Sequence, residues 1–214
     1  MTIKINVMIS LWLLFLPPAL AGEQQALEDI LKRLQIKESL HLEYKETRHM
    51  ELLSRPRQSK GHMFLSPEQM IIAQHAPKRQ ITVISKNKVL FVDQEKQIRR
   101  TRKLKSPFAI PGMGPFLQLF YGQSNLAELE QQFTIKFLQD SSHWQLKLSP
   151  KLSAMSSIRT AKLSGTPDEG PNQLVLEHAD GDRTEWRLSS LAHGPDAREE
   201  MERLLAQISL HTTP

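Results

Sequence analysis

The chain has 214 residues, with 28 Lys and Arg against 23 Asp and Glu, a net charge of +5, no Cys and 39% apolar residues. That length suits one or two domains with a sizeable core, and a 24% charged fraction argues against both a disordered chain and a polytopic membrane protein. The absence of Cys excludes disulfides, thiolate metal sites, a Cys nucleophile and a lipid-modified Cys.

Lys4 precedes an apolar run from Val7 to Leu16 that ends in Pro17-Pro18-Ala19-Leu20-Ala21. A positive start, a short apolar core and a small-x-small end form the pattern of a secretory signal peptide, with cleavage expected between Ala21 and Gly22. The run is short for a membrane span of about 20 residues. Residues 1–21 therefore read as a leader and residues 22–214 as one domain. Export without disulfides fits a bacterial periplasm and argues against nucleic acid as a partner.

Leu27, Ile30, Leu31 and Leu34 recur at helical spacing and predict an amphipathic helix. The period then changes: Leu40, Leu42 and Tyr44 alternate with His41, Glu43 and Lys45, as in a half-buried strand. Short runs at meander spacing follow at Gly61–Leu65, Gln69–His75, Gln80–Ser85, Lys88–Asp93 and Gln97–Leu104. The second half continues with Phe133–Leu138, Trp144–Leu148, Ile158–Leu163, Leu174–His178 and Arg183–Ser189. Asp180-Gly181 marks a hairpin between the last two, and Asp196 to Ile208 predicts a closing amphipathic helix. The expected fold is mainly β (α+β): a large antiparallel sheet with helices that cover or plug it, and a sheet of this size tends to curl.

Two segments depart from the pattern. From Ser106 to Ala127 no Lys, Arg, His, Asp or Glu occurs across 22 positions, and Pro107, Pro111, Gly112, Gly114, Pro115 and Gly122 interrupt the apolar ones. This is either a core helix over Pro115 to Tyr121 or a movable apolar lid hinged on Gly and Pro. From Lys78 to Lys105 there are ten Lys and Arg against Asp93 and Glu95. Arg99 and Lys103 alternate with Arg100 and Arg102, so this strand stands at a rim or an edge. Its charges serve either edge protection or docking to an acidic partner or anionic headgroups.

Catalytic signatures are missing: there is no Gly-x-Ser-x-Gly, phosphate loop or His-Glu-x-x-His. His41 and Glu43 share a polar strand face, and His49 and His62 are expected to approach across a hairpin, without the third ligand zinc needs. No metal and no cofactor is expected, nor an enzyme.

The leader, helix, meander and apolar Pro/Gly-bearing middle together resemble the periplasmic outer-membrane lipoprotein carrier (LolA-like) family, over about residues 25 to 190. Leu40–Glu46 is similar to the family strand ending Phe-x-Gln, Lys60–Pro67 to its Gly-x-apolar strand leading into Arg-Pro, Val89–Asp93 to a later strand, and Phe116–Gly122 to its lid. The resemblance implies an open, unclosed β-barrel with helices over an apolar cavity, and a carrier that shields acyl chains of a lipoprotein or other acylated lipid on the way to the outer membrane. It implies an inner-membrane donor, an outer-membrane acceptor and a monomeric carrier. Departures stand at Ser66, where the family has the Arg that latches the lid, at Met70 and Ile72 in place of aromatics, and at Tyr44-Lys45-Glu46. Alternation and the lid together nominate Tyr44, Phe64, Met70, Ile72, Phe91, Phe116, Phe120, Trp144 and Trp186 as cavity residues, and Arg99, Arg100, Arg102 and Lys103 as a docking surface. The alternatives are a non-catalytic periplasmic adaptor or sensor module, which would bind no lipid, and a lipid hydrolase.

Overall fold

The computed structural model describes residues 18–85, 87–104, 114–121, 126–151 and 157–210. Helix α1 (Pro18–Leu34) leads into β1 (Leu40–His49), β2 (Arg57–Leu65), β3 (Gln69–Ala76), β4 (Gln80–Ser85), β5 (Lys88–Asp93) and β6 (Ile98–Lys103). Helices α2 (Gly114–Tyr121) and α3 (Leu126–Gln132) precede β7 (Phe133–Gln139), β8 (Trp144–Pro150), β9 (Ile158–Thr166), β10 (Gly170–His178) and β11 (Arg183–His193), and α4 (Gly194–Leu210) follows.

The strands form one 11-stranded antiparallel sheet in the order β6-β5-β4-β3-β2-β1-β11-β10-β9-β8-β7. Each half is a meander, and the halves join where β1 pairs with β11, with Tyr44 opposite Leu188 and Glu46 opposite Trp186. Strands β6 and β7 are the two ends of the order, so the sheet does not close. The Asp180-Gly181 turn forms as its residues require, with Gly181 at φ 91°.

Helices cover both faces rather than one. On the inner face, Leu27, Ile30, Leu31 and Leu34 of α1, Leu117, Leu119 and Phe120 of α2 and Leu129 of α3 pack on Leu42, Met63, Met70, Leu146, Leu163 and Leu188. On the outer face, Met201 and Ile208 of α4 cover Phe64, Ile71, Ala73, Ile81 and Val83. The reason is written into β2 to β5. Met63-Phe64-Leu65, Met70-Ile71-Ile72 and Val89-Leu90-Phe91-Val92 are continuous apolar runs, the mark of strands that need cover on both sides. Strand β8 instead alternates, with Trp144, Leu146 and Leu148 buried on one face only.

Candidate functional site

The inner face is built from rows of cross-strand partners. Leu42, Met63, Ile72, Thr82, Phe91 and Arg100 lie opposite one another in sequence across β1 to β6. Beside it run Leu40, Leu65, Met70, Ile84, Val89 and Arg102. The apolar character is strongest at the centre, where Met63 and Leu65 are completely buried, and falls toward the β6 edge. Along β1 the face also changes: beyond Tyr44 comes Glu46, which accepts from Ser59 Oγ at 2.8 Å, and then Arg48, paired with Asp182 at 3.1 Å. Burial, reinforced by the neighbouring Glu46 carboxylate, pushes the Tyr44 hydroxyl up to about 12.

Of the nominated cavity residues, Tyr44, Met70, Phe120, Trp144 and Trp186 are buried in the inner cluster, and Ile72 packs against it. Phe91 shares the inner face by register with Thr82 and is half-buried. Phe116 belongs to α2, and its side chain lies outside the described residues, as do residues 106–113 and 122–125 of the apolar segment. Phe64 is corrected: it lies on the outer face with Ile71 and Met201, stacked on His41 at 4.2 Å. Since Met63 faces Leu42 across β1–β2, its neighbour Phe64 must point the other way. A continuous apolar run hides that parity from the sequence.

Trp144 is held by its backbone surroundings. Its indole Nε1 donates to the Thr166 carbonyl at 3.0 Å, and it lies opposite Gly165 on β9. A Cβ at Gly165 would stand 2.0 Å from the Gly170 carbonyl oxygen and 2.8 Å from the Trp144 ring. Near Trp144 a cavity of about 490 Å³ opens between the end of α1, the start of β1 and the β9–β10 turn. Ile30, Leu34, Ile36, Leu40 and Leu42 form its apolar wall, and Arg33, Lys37, Asp168 and Glu169 its rim. Its size is within the ~300–1,000 Å³ of small-molecule sites.

Among the described residues, two hydrogen bonds besides the apolar contacts fasten helix α2. The Ile36 amide donates to the Phe120 carbonyl at 3.1 Å. The Tyr121 hydroxyl donates to the Gln69 carbonyl at 3.0 Å. That same carbonyl accepts from the Ser66 amide at 2.9 Å and from Ser66 Oγ at 3.3 Å. Ser66 therefore serves the β2–β3 turn, and the fastening to α2 comes from Tyr121. Burial raises the Tyr121 hydroxyl above its usual range, so it stays a donor. Sequence reasoning missed this residue because a Tyr at the end of an uncharged helix reads as one more apolar group.

The histidines also pair differently from expectation. His49 lies opposite Arg183, whereas His62 is hydrogen-bonded to His41 on the outer face and stacks on His75 at 4.8 Å. The Glu200 carboxylate of α4 lies against His41 Nδ1, a contact that is an ion pair only when the imidazole is protonated. Among the described residues no three His, Asp or Glu side chains are placed to hold a metal ion. The four basic residues nominated for docking lie on β6, the edge strand.

The family model for the outer membrane lipoprotein carrier protein LolA matches residues 37–201. No curated protein matches the chain. Among solved structures, it is similar to a LolA superfamily protein from Nitrosomonas europaea at 10% identity, covering 81% of this chain and 96% of that one with a TM-score of 0.44. It is similar to an uncharacterized conserved protein from Thermus thermophilus at 10% identity, covering 78% and 88% with a TM-score of 0.44. The lipoprotein LppX of Mycobacterium tuberculosis is 11% identical, covering 81% and 94% with a TM-score of 0.37. With every TM-score here below 0.5, membership rests on the family model, which spans all eleven strands and the start of α4 and leaves out α1. The chain belongs to the outer membrane lipoprotein carrier (LolA) family.

Proposed function

We infer that this protein is a periplasmic, non-catalytic carrier that shields the acyl chains of a lipoprotein or other acylated lipid between an inner-membrane donor and an outer-membrane acceptor. The observation that carries the reading is the inner face: an apolar surface inside an unclosed sheet, covered by a short apolar helix instead of by more sheet. Helix α2 is uncharged over its whole length and is the natural lid.

The magnitudes favour exchange. Unseating Leu117, Leu119 and Phe120 exposes three buried side chains, at ~1.5–3 kcal/mol each. Burying a sixteen-carbon chain in their place returns on the order of 12 kcal/mol at ~0.8 kcal/mol per CH₂. A bound acyl chain therefore more than offsets lid opening, and the empty protein closes on itself. The leader over residues 1–21 supplies export, and no helix among the described residues is long and apolar enough to cross a membrane.

Native mass spectrometry on the protein purified from the periplasm without detergent tests the reading. A co-purifying acylated species, lost on lipid extraction, is the expected result. A clean apo mass that also refuses added acyl ligands would favour an adaptor module instead. A hydrolase would turn over the ligand and lose that turnover, with affinity kept, on replacement of one Ser or Asp.

A further inference from the structure

The basic edge strand divides by face. Arg99 lies opposite Val92 and Lys103 opposite Lys88; Val92 packs with the α4 cluster, and Arg99 Nη1 donates to the Ile208 carbonyl at 3.5 Å. These two are outer-face residues. Arg100 lies opposite Phe91 and Arg102 opposite Val89, and Val89 packs against the inner cluster. Arg100 and Arg102 thus end the two apolar rows of the inner face, at the open edge of the sheet.

Both are exposed, and among the described residues neither forms an ion pair with a carboxylate. The acid nearest on that face by register is Asp93, opposite Ile98. Its Oδ1 is already engaged by the Lys96 amide at 3.0 Å and the Glu95 amide at 3.1 Å, and its Oδ2 by Gln80 Nε2 at 3.4 Å. It closes its own turn and leaves the two guanidinium groups uncompensated. Two side chains at i and i+2 of a strand stand about 7 Å apart, so both forks can converge on one phosphate or carboxylate. The row from Leu42 to Arg100 spans five strand gaps, about 24 Å at ~4.8 Å each, room for an extended acyl chain with its polar end at the edge.

We propose that Arg100 and Arg102 bind the anionic headgroup of an acyl lipid whose chain lies along the Phe91 and Ile72 row. This rests on the carrier reading and adds to it that the cargo is an anionic amphiphile. The competing role for the same charges is protection of an open edge, which makes no distinction between inner-face and outer-face residues or between headgroups.

The test is calorimetric titration of the full chain with dodecyl phosphate and with dodecylphosphocholine, both below their micellar concentrations, and with inorganic phosphate. The same titrations are made on R100Q/R102Q and on R99Q/K103Q, with size-exclusion profiles as the folding control. The wild type is expected to bind dodecyl phosphate at least 10-fold more tightly than dodecylphosphocholine. R100Q/R102Q is expected to abolish that preference while still binding dodecylphosphocholine, and R99Q/K103Q to keep it. Equal binding of both amphiphiles by the wild type overturns the headgroup site and leaves the carrier reading standing. Binding of neither overturns both. Inorganic phosphate bound as tightly as dodecyl phosphate, an equal effect of the two double variants, or aggregation of both variants would reduce the arginines to a general anion patch or to edge protection, and overturns the proposal.

Discussion

Tyr121 shows how one polar atom fastens an apolar helix. Its hydroxyl supplies the fastening to the β2–β3 turn, while the Ser66 side chain is committed to that turn itself. Tyr121→Phe removes one hydrogen bond worth about 0.5–1.5 kcal/mol. Thermal unfolding of the empty protein is expected to fall by roughly 2–4 °C for each kcal/mol lost, and the on-rate for an acyl probe measured by stopped flow to rise. An unchanged on-rate would show that Tyr121 does not hold the lid. The outer-face histidines carry a second prediction at this scale. His41, His62 and His75 are each held below the usual histidine range, chiefly by burial, and for His62 and His75 also by a neighbouring histidine. Glu200 raises His41, Glu43 and Glu200 raise His62, and Lys60 and Arg79 further lower His75. With the folded values depressed, stability is complete above the unfolded value of about 6.5 and is lost as pH falls from there through the folded values, because the unfolded chain takes protons first. Melting temperature is therefore expected to drop between pH 7 and pH 5, and less steeply in His62→Gln. A drop of the same steepness in that variant would assign the loss to other groups.

At the scale of elements, the two faces make separable predictions. Phe120→Asp on α2 places a charge against the inner cluster and is expected to abolish retention of an acyl ligand. Met201→Ala on α4 removes a buried side chain from the outer cluster, costing about 2–5 kcal/mol, with ligand affinity of the folded fraction unchanged. If Phe120→Asp retained ligand with wild-type affinity, α2 would be core and not lid. The sequence pattern reached most of these elements because their periodicity is local: α1, α4 and every strand stand where alternation or helical spacing placed them. Helix α3 was invisible as a separate element, since it is seven residues long with little apolar pattern of its own. The assignment of faces was legible only where strands alternate. Tyr44 and Trp144 could be placed inward from neighbours such as Lys45 and Gln145, but Phe64 sits in an unbroken apolar run whose outer half is spoken for by a helix more than 130 positions later in the chain. The site was legible in the same degree. Its walls follow from pattern, as does the split of Arg100 and Arg102 from Arg99 and Lys103, whereas the Tyr121 bond and the Gly165 contact under Trp144 depend on pairings between separate segments.

The whole molecule is an unclosed sheet with both faces covered and an apolar helix over one of them, the arrangement the proposed lid opening requires. In the proposed carrier the outer helix backs the sheet, so change on loading is expected on the inner side. The most direct test uses the tryptophans. Of the three in the chain, Trp12 lies outside the described residues and Trp144 and Trp186 lie on the inner face, so a Trp12→Phe protein reports from the inner face alone. Titration with a sixteen-carbon fatty acid brominated at mid-chain is the measurement. Saturable quenching at one equivalent, reversed by excess unbrominated acid and weakened in Phe120→Asp, is the predicted result. A ligand that binds by calorimetry yet leaves both tryptophans unquenched would place the acyl chain elsewhere and contradict the account.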